Sequence, residues 1–390
     1  MSRLKQLLAR TLSVRSGHQS SIQAMEGMRG LAVMLVFLVH YVMLSSPWIA
    51  PGSITSRVAL SAFNVGNAGV DLFFVLSGYL IYRMLITKTT PFAEYAVRRV
   101  RRIYPAFLAV LALYLVLAVW FPGQRTLPDG WRPLLVYIGQ NVLLLPGIFS
   151  IQPIITVAWS LSYEVFYYLA VPCLVGLLRL RAWPPRQRMR LLAVLTLAGF
   201  VAFQWQMEHI RLLMFLSGML LFEVLHHTSW RTRPGVGLLA FAVAVAGMIA
   251  FRAVHVGETW RVLLLFVSFF VLCLDAFGPR TGITARPLTS APVRALGNMS
   301  YSYYLIHGLT LKAAFMVAEV IYPPRAQSAL FWILLLPMFA ATLVSAFCLF
   351  ALVERPLSLL SSQSVHVPAG SPRPAPTSWS VGICLTDSIS

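Results

Sequence analysis

Apolar residues recur along this chain in long, nearly unbroken runs, not at the alternating spacing of a half-buried strand or the three-to-four spacing of a surface helix. The runs fall near 27–46, 69–86, 103–121, 132–149, 154–178, 191–207, 212–228, 235–251, 261–278, 299–321 and 329–350. Most hold roughly 17–23 residues. At about 1.5 Å per residue, each predicts a helix matched to a hydrocarbon layer about 30 Å thick. The pattern predicts an all-α, polytopic transmembrane helix bundle.

Polar positions between the runs decide which of them cross. Segments 1–26, 83–102 and 179–190 are basic, the second with Arg83, Lys88, Arg98, Arg99, Arg101 and Arg102. Basic loops are held on the cytoplasmic side, so an even number of crossings must separate any two of them. Three runs lie between 102 and 179, and one of these must therefore not cross. The weakest is 132–149, WRPLLVYIGQNVLLLPGI, with Gln140 and Asn141 in its middle and a Pro–Gly break at its end. It reads as an interfacial or re-entrant segment, which has to be covered by protein or line a cavity. About ten spans remain, with both termini cytoplasmic, and most of the 31 lysines and arginines then fall on the inner side.

Composition agrees. Of the residues, 58% are hydrophobic and 11% charged, against about a quarter charged in a soluble domain. A net charge of +19 in a soluble chain would point to nucleic acid. Here the charge belongs to the loops, and no zinc-finger or RNA-binding signature accompanies it, which excludes a nucleic-acid role. The four cysteines share no metal-ligand spacing, and the chain has neither a P-loop nor a dinucleotide fingerprint. Neither a metal nor a tightly bound cofactor is expected. The expected organisation is a cytoplasmic segment over 1–21, a membrane domain over 22–360 and a disordered Ser/Pro-rich cytoplasmic tail over 361–390.

Ionisable residues inside the runs carry the candidate chemistry, because charge at bilayer depth is costly. In EGMRGLAVMLVFLVHY, Arg29 precedes His40 by eleven residues, about 16 Å along a helix. Arg29 is expected near the inner surface and His40 beyond the midplane. In GVDLFFVLSGYLI, Asp71 is expected near the outer end of the second span, close to the depth of His40. A carboxylate there would orient the imidazole as a general base. In WSLSYEVFYY, Glu164 falls near mid-membrane, with Trp159, Ser160, Tyr163 and Tyr167 as hydrogen-bonding neighbours. His307 lies in GNMSYSYYLIH, and Glu354 in the closing ERP is expected to pair with a basic loop. A bundle with so polar an interior suits a transporter or an intramembrane enzyme, and physics alone does not choose.

The blocks AMEGMRGLAVMLVFLVHY, GVDLFFVLSGYLI, RRVRRIYPAF, WSLSYEVFYY, LGNMSYSYYLIH and ERP resemble, in order, those of the acyltransferase 3 family. The resemblance runs from about 22 to 356. It implies an integral membrane O-acyltransferase that modifies envelope glycans, exopolysaccharides or macrolides. Acyl-CoA, commonly acetyl-CoA, is the implied co-substrate, a saccharide-type hydroxyl the acceptor, and the bacterial inner membrane the location. Arg29 and His40 match the family's arginine–histidine motif, its histidine being the essential one. Arg98, Arg99, Arg101 and Arg102 match its basic block, and with Arg29 they are expected to hold the CoA phosphates. Expected catalytic residues are His40, Asp71 and Glu164. Trp159, Ser160, Tyr163 and His307 are acceptor or oxyanion candidates. One departure is that Glu164 stands alone where members often carry two adjacent acids. Direct transfer and an acyl-histidine relay both remain open. The competing reading is a transporter or flippase of a lipid-linked sugar or small anion.

Overall fold

The computed structural model describes residues 20–121, 127–204, 207–253, 257–278, 282–325 and 328–360. Nearly all of the segment expected over 1–21, and all of the tail expected over 361–390, lie outside the described residues. In chain order the α-helices are α1 (Ser20–Ser45), α2 (Ile54–Gly66), α3 (Ala68–Thr87), α4 (Phe92–Trp120), α5 (Trp131–Val142), α6 (Trp159–Leu177) and α7 (Pro185–Ala202). They continue with α8 (Leu213–His227), α9 (Val236–Ala253), α10 (Glu258–Phe277), α11 (Ala285–Leu288), α12 (Ala291–Asn298), α13 (Ser300–Ile321) and α14 (Ala329–Leu349). A π-helix, Phe350–Leu360, follows α14.

The protein is an all-α, polytopic bundle, and a helix stands on every run assigned to a span. Eight helical stretches among the described residues are long and apolar enough to cross a membrane. The remaining two positions are filled by α7, whose first turns carry Arg186, Arg188 and Arg190, and by α9, each of 18 residues. The run at 132–149 folds as α5, only 12 residues, so about 18 Å long and too short to cross. Its polar pair holds the chain's return: the buried Asn141 accepts from the Ile154 amide at 2.8 Å and donates to the Tyr137 carbonyl at 3.0 Å.

Besides the short α11 and α12, α2 lies outside the apolar runs. Ser53 caps α2 by accepting from the Ser56 amide at 3.1 Å. The helix then passes through Asn67 into α3, making one helical stretch from Ile54 to Thr87. The second span therefore starts more than three turns before its apolar run does. A side-chain carbon on Gly69 would lie 2.8 Å from the Ala32 carbonyl of α1. The same carbon would lie 2.9 Å from Leu35 and 3.0 Å from Val36, so Asp71, two residues further along, sits below the level of Val36. That is at least about four residues, or roughly 6 Å, below the level of His40.

We call the face where α1 begins the lower face. At the core, α3 packs against both α1 and α8, while α1 also packs against α12 and α13. Contact between α1 and α12 is backbone to backbone. A side-chain carbon on Gly297 would fall 1.8 Å from the Glu26 carbonyl oxygen, and one on Gly30 would fall 2.2 Å from that of Val293. Small residues permit this approach in membrane bundles. The Arg294–Glu26 ion pair at 2.8 Å reinforces it, and together they fix the turn that carries Arg29. Toward the lower face, the wholly buried Glu223 receives Arg188 through two nitrogens, at 2.5 and 3.1 Å, and the Tyr82 hydroxyl at 2.6 Å. Asp275 accepts from the Gly235 and Gly237 amides and the Thr284 hydroxyl, closing the loop into α9.

Candidate active site

Helical periodicity sorts the arginines of RRVRR. Residues three apart share a face, so Arg98 and Arg101 point one way and Arg99 and Arg102 another. Arg98 and Arg101 are exposed, and Arg98 pairs with Glu94 one turn earlier. Arg99 and Arg102 line a cleft walled by α1, α3, α4, α6 and α13. It encloses about 900 Å³ free of protein atoms, part of it open to solvent. The Arg99 guanidinium lies 5.3 Å from the ring centroids of both Tyr95 and Tyr168, within cation–π range. Arg102 lies 5.4 Å over Tyr301 and pairs with Glu354 at 2.5 Å. Glu354 is wholly buried, and its other oxygen takes the Ser302 amide and hydroxyl. The ERP glutamate is thus a clasp between α4, α13 and the π-helix.

Arg29 lines the same cleft. No described residue makes a hydrogen bond or close ion pair with it, which leaves it the least committed of the three guanidinium groups. Along α3 the lining runs from Val70 to Ile81, eleven residues or about 16 Å. Glu164 faces the cleft from α6, with one oxygen accepting from the Tyr168 hydroxyl at 2.6 Å and from Ser77 at 3.2 Å. Ser160, one turn away, shares a 2.7 Å hydrogen bond with Tyr304 of α13. Both of these line the cleft as well. The site therefore has cations at several points, a carboxylate in its wall and hydroxyl groups near its upper end.

His40 and His307 lie beyond Tyr304 and do not line the cleft. The His307 ring is 6.0 Å from that of Tyr304 and meets His40 edge to face, with centroids 4.8 Å apart. His307 is wholly buried and His40 half-buried. Both histidines were visible in the sequence, but their contact was not, since it depends on α1 and α13 running side by side.

Asp71 does not meet His40. It is wholly buried and lies 3.6 Å from Arg211, which also approaches Glu258 at 3.8 Å. The physical reason is the added length of α2, which lowers Asp71 along the bundle. Arg211 in turn stands 5.8 Å over the ring of Trp159. Tyr163 bonds His209 at 2.9 Å. Trp159 and Tyr163 therefore belong with Asp71, Arg211 and Glu258 in a second polar cluster, set apart from the cleft by Phe74. Sequence reasoning passed over Arg211 and Glu258 because both flank apolar runs, where charge is ordinary. Glu223 and Asp275 did carry a signal, each being an acid within an apolar run.

Residues 22–351 match the acyltransferase domain family, which takes in nearly all of the described bundle. The chain belongs to the acyltransferase 3 family. Among curated proteins, it is similar to the peptidoglycan O-acetyltransferase OatA of Listeria monocytogenes. The identity there is 25% over 373 residues, covering 86% of this chain and 56% of the relative. The O-acetyltransferase OatA of Staphylococcus aureus is 24% identical over 326 residues, covering 73% and 50% respectively. This chain thus spans about half the length of those two. The acyltransferase MdmB of Streptomyces mycarofaciens is 25% identical over 384 residues, covering 91% of this chain and 96% of its own. No solved structure matches the chain.

Proposed function

We propose that this acyltransferase 3 protein is a membrane O-acyltransferase that moves an acyl group, acetyl in the first instance, from acyl-CoA to a hydroxyl of a saccharide or glycan. One observation carries the reading. A single cleft joins three guanidinium groups to a wall of hydroxyl groups directly below a histidine pair. CoA brings phosphates and a long neutral arm ending in a thioester, and the cleft offers a matching order of chemistry. Guanidinium groups bind phosphate through charge-assisted, bidentate hydrogen bonds, a task for Arg29 and Arg99, with Arg102 partly held by Glu354. The lower face would be cytoplasmic, with both termini there, and the donor would enter from that side of a bacterial inner membrane.

His40 would act as general base. It would take the acceptor hydroxyl's proton as the oxygen attacks the thioester carbonyl, then release that proton to the departing CoA thiolate. The free oxygen of Glu164 would accept a hydrogen bond from the acceptor. Ser160 and Tyr304, already bonded to each other, would offer a hydroxyl to the developing oxyanion. Trp159 and Tyr163 would act from the neighbouring cluster, on Arg211 and His209. Peptidoglycan, named for the Listeria relative, supports a glycan acceptor.

The test is mass spectrometry of envelope polysaccharides and small metabolites from cells with and without the gene. One acetyl unit lost from a glycan in the deletion strain, and restored by the wild-type gene but not by His40→Ala, is the expected result. Identical acylation in both strains would reject the reading, and altered transport of an unmodified lipid-linked sugar would favour a flippase.

A further inference from the structure

His307 is held in one protonation pattern by its own helix. Its Nδ1 lies 2.9 Å from the carbonyl oxygens of both Tyr303 and Tyr304. Carbonyl oxygens only accept, so Nδ1 must carry the proton. The ring is also clamped, stacking on Tyr303 at 5.3 Å and 12°, while the Tyr303 hydroxyl is tied to Thr342 at 2.9 Å. In neutral His307 the remaining nitrogen, Nε2, is then a bare lone pair. It is fully buried and has no hydrogen-bond partner among the described residues. A buried polar atom without a partner costs about 1–3 kcal/mol, so its retention asks for a donor. The ring of His40 packs edge to face with that of His307.

Resting on the acyltransferase reading, we infer that His307 is the positioning residue of His40. Its Nε2 accepts the N–H of the His40 imidazole, which leaves the other His40 nitrogen bare and aimed at the acceptor hydroxyl. This is the task for which Asp71 is wrongly placed. It also removes His307 from the oxyanion candidates, since neutral His307 has no proton on Nε2 to donate. Centroids 4.8 Å apart put the rings within reach of an N–H···N hydrogen bond once His40 turns about its Cβ–Cγ bond. During transfer the acceptor O–H bond breaks and its proton moves to His40. The new C–O bond forms, the C–S bond breaks, and the proton passes to the CoA thiolate. His307 forms and breaks no covalent bond. It steadies His40 while that ring is positively charged.

The experiment uses the full chain in lipid nanodiscs, labelled with ¹⁵N-histidine, with assignments taken from His40→Asn and His307→Gln. Wild type should show His307 protonated on Nδ1, and a through-space ¹⁵N–¹⁵N contact from a protonated His40 nitrogen to His307 Nε2. A proton on His307 Nε2, or no such contact, would overturn the inference whatever the protein acylates. Turnover of acetyl-CoA, read as free CoA, supplies the second arm. His307→Phe keeps the ring and should cut kcat about 100-fold, a typical loss for a disabled base, with KM within about twofold. His307→Gln restores an acceptor near Nε2 and should recover to within about tenfold of wild type. A merely structural role favours Phe over Gln, and that order would reject the inference. Wild type that never releases CoA would instead count against the acyl-CoA reading, leaving the NMR arm intact.

Discussion

Arg102 of α4 and Glu354 of the π-helix form an ion pair between residues 252 apart in sequence, with the carboxylate wholly buried. Removing one member of a buried pair strands the other, at a cost of about 3–5 kcal/mol. Glu354→Ala should therefore lower thermal stability in detergent by an amount of that order. Replacing both residues together, Arg102→Met with Glu354→Leu, should recover most of it. If the double variant is no more stable than Glu354→Ala, the pair is not what holds the π-helix.

The partition of the RRVRR arginines yields a contrast within one helix turn. Arg99 faces the cleft and Arg101 is exposed. A hydrogen bond to a charged group is worth about 1.5–3 kcal/mol, or roughly tenfold to a hundredfold in affinity. Arg99→Ala should raise KM for acetyl-CoA by that factor, whereas Arg98→Ala and Arg101→Ala should stay within about twofold. Steady-state kinetics on the three purified variants decides this, and equal effects from all of them would mean that net charge, not the cleft, binds the donor.

Close approach of α1 and α12 leaves no room beside Gly297, where an added carbon would meet the Glu26 carbonyl at 1.8 Å. Backbone cannot move aside as a flexible side chain can. Gly297→Ala should cost at least the about 1–3 kcal/mol typical of overpacking, and should shift the turn bearing Arg29. Size-exclusion chromatography of a fluorescent fusion should show less monodisperse protein than wild type, and an unchanged profile would contradict the packing described.

Asp71 and Arg211 are neighbours, and Asp71 and His40 are not. A double-mutant cycle on unfolding free energy should give a coupling of about 0.5–3 kcal/mol for Asp71→Asn with Arg211→Met. For Asp71→Asn with His40→Ala, the coupling should fall within about 0.5 kcal/mol of zero. The reverse order would return Asp71 to the side of His40.

These contrasts also mark what the sequence made legible. The spans could be read because unbroken apolar runs have one stable answer in lipid, and α5 betrayed itself through Gln140, Asn141 and the Pro–Gly break. By contrast, α2 escaped notice because Ser56, Arg57, Ser61 and Asn64 interrupt its apolar face, and that omission displaced Asp71 in depth. His40, His307, Arg29 and Glu164 announced themselves as polar groups within apolar surroundings. Which of them meet depends on the order in which helices pack, and a pattern along one chain does not encode that locally. The inward turn of Arg99 and Arg102 was available from their spacing. That Glu354 would take Arg102, and not another basic residue, was not.

If the cleft's arginines hold the donor while His40, just above it, performs the transfer, binding and turnover should fail separately. Acetyl-CoA binding and turnover are measured side by side on wild type, Arg29→Ala and His40→Ala in nanodiscs. His40→Ala should bind with an unchanged Kd yet turn over at below about a hundredth of the wild-type rate, as expected for loss of a general base. Arg29→Ala should instead weaken binding about tenfold or more. More than a tenth of the activity left in His40→Ala would contradict a base at that position, and an unchanged Kd for acetyl-CoA in Arg29→Ala would contradict donor binding by the cleft.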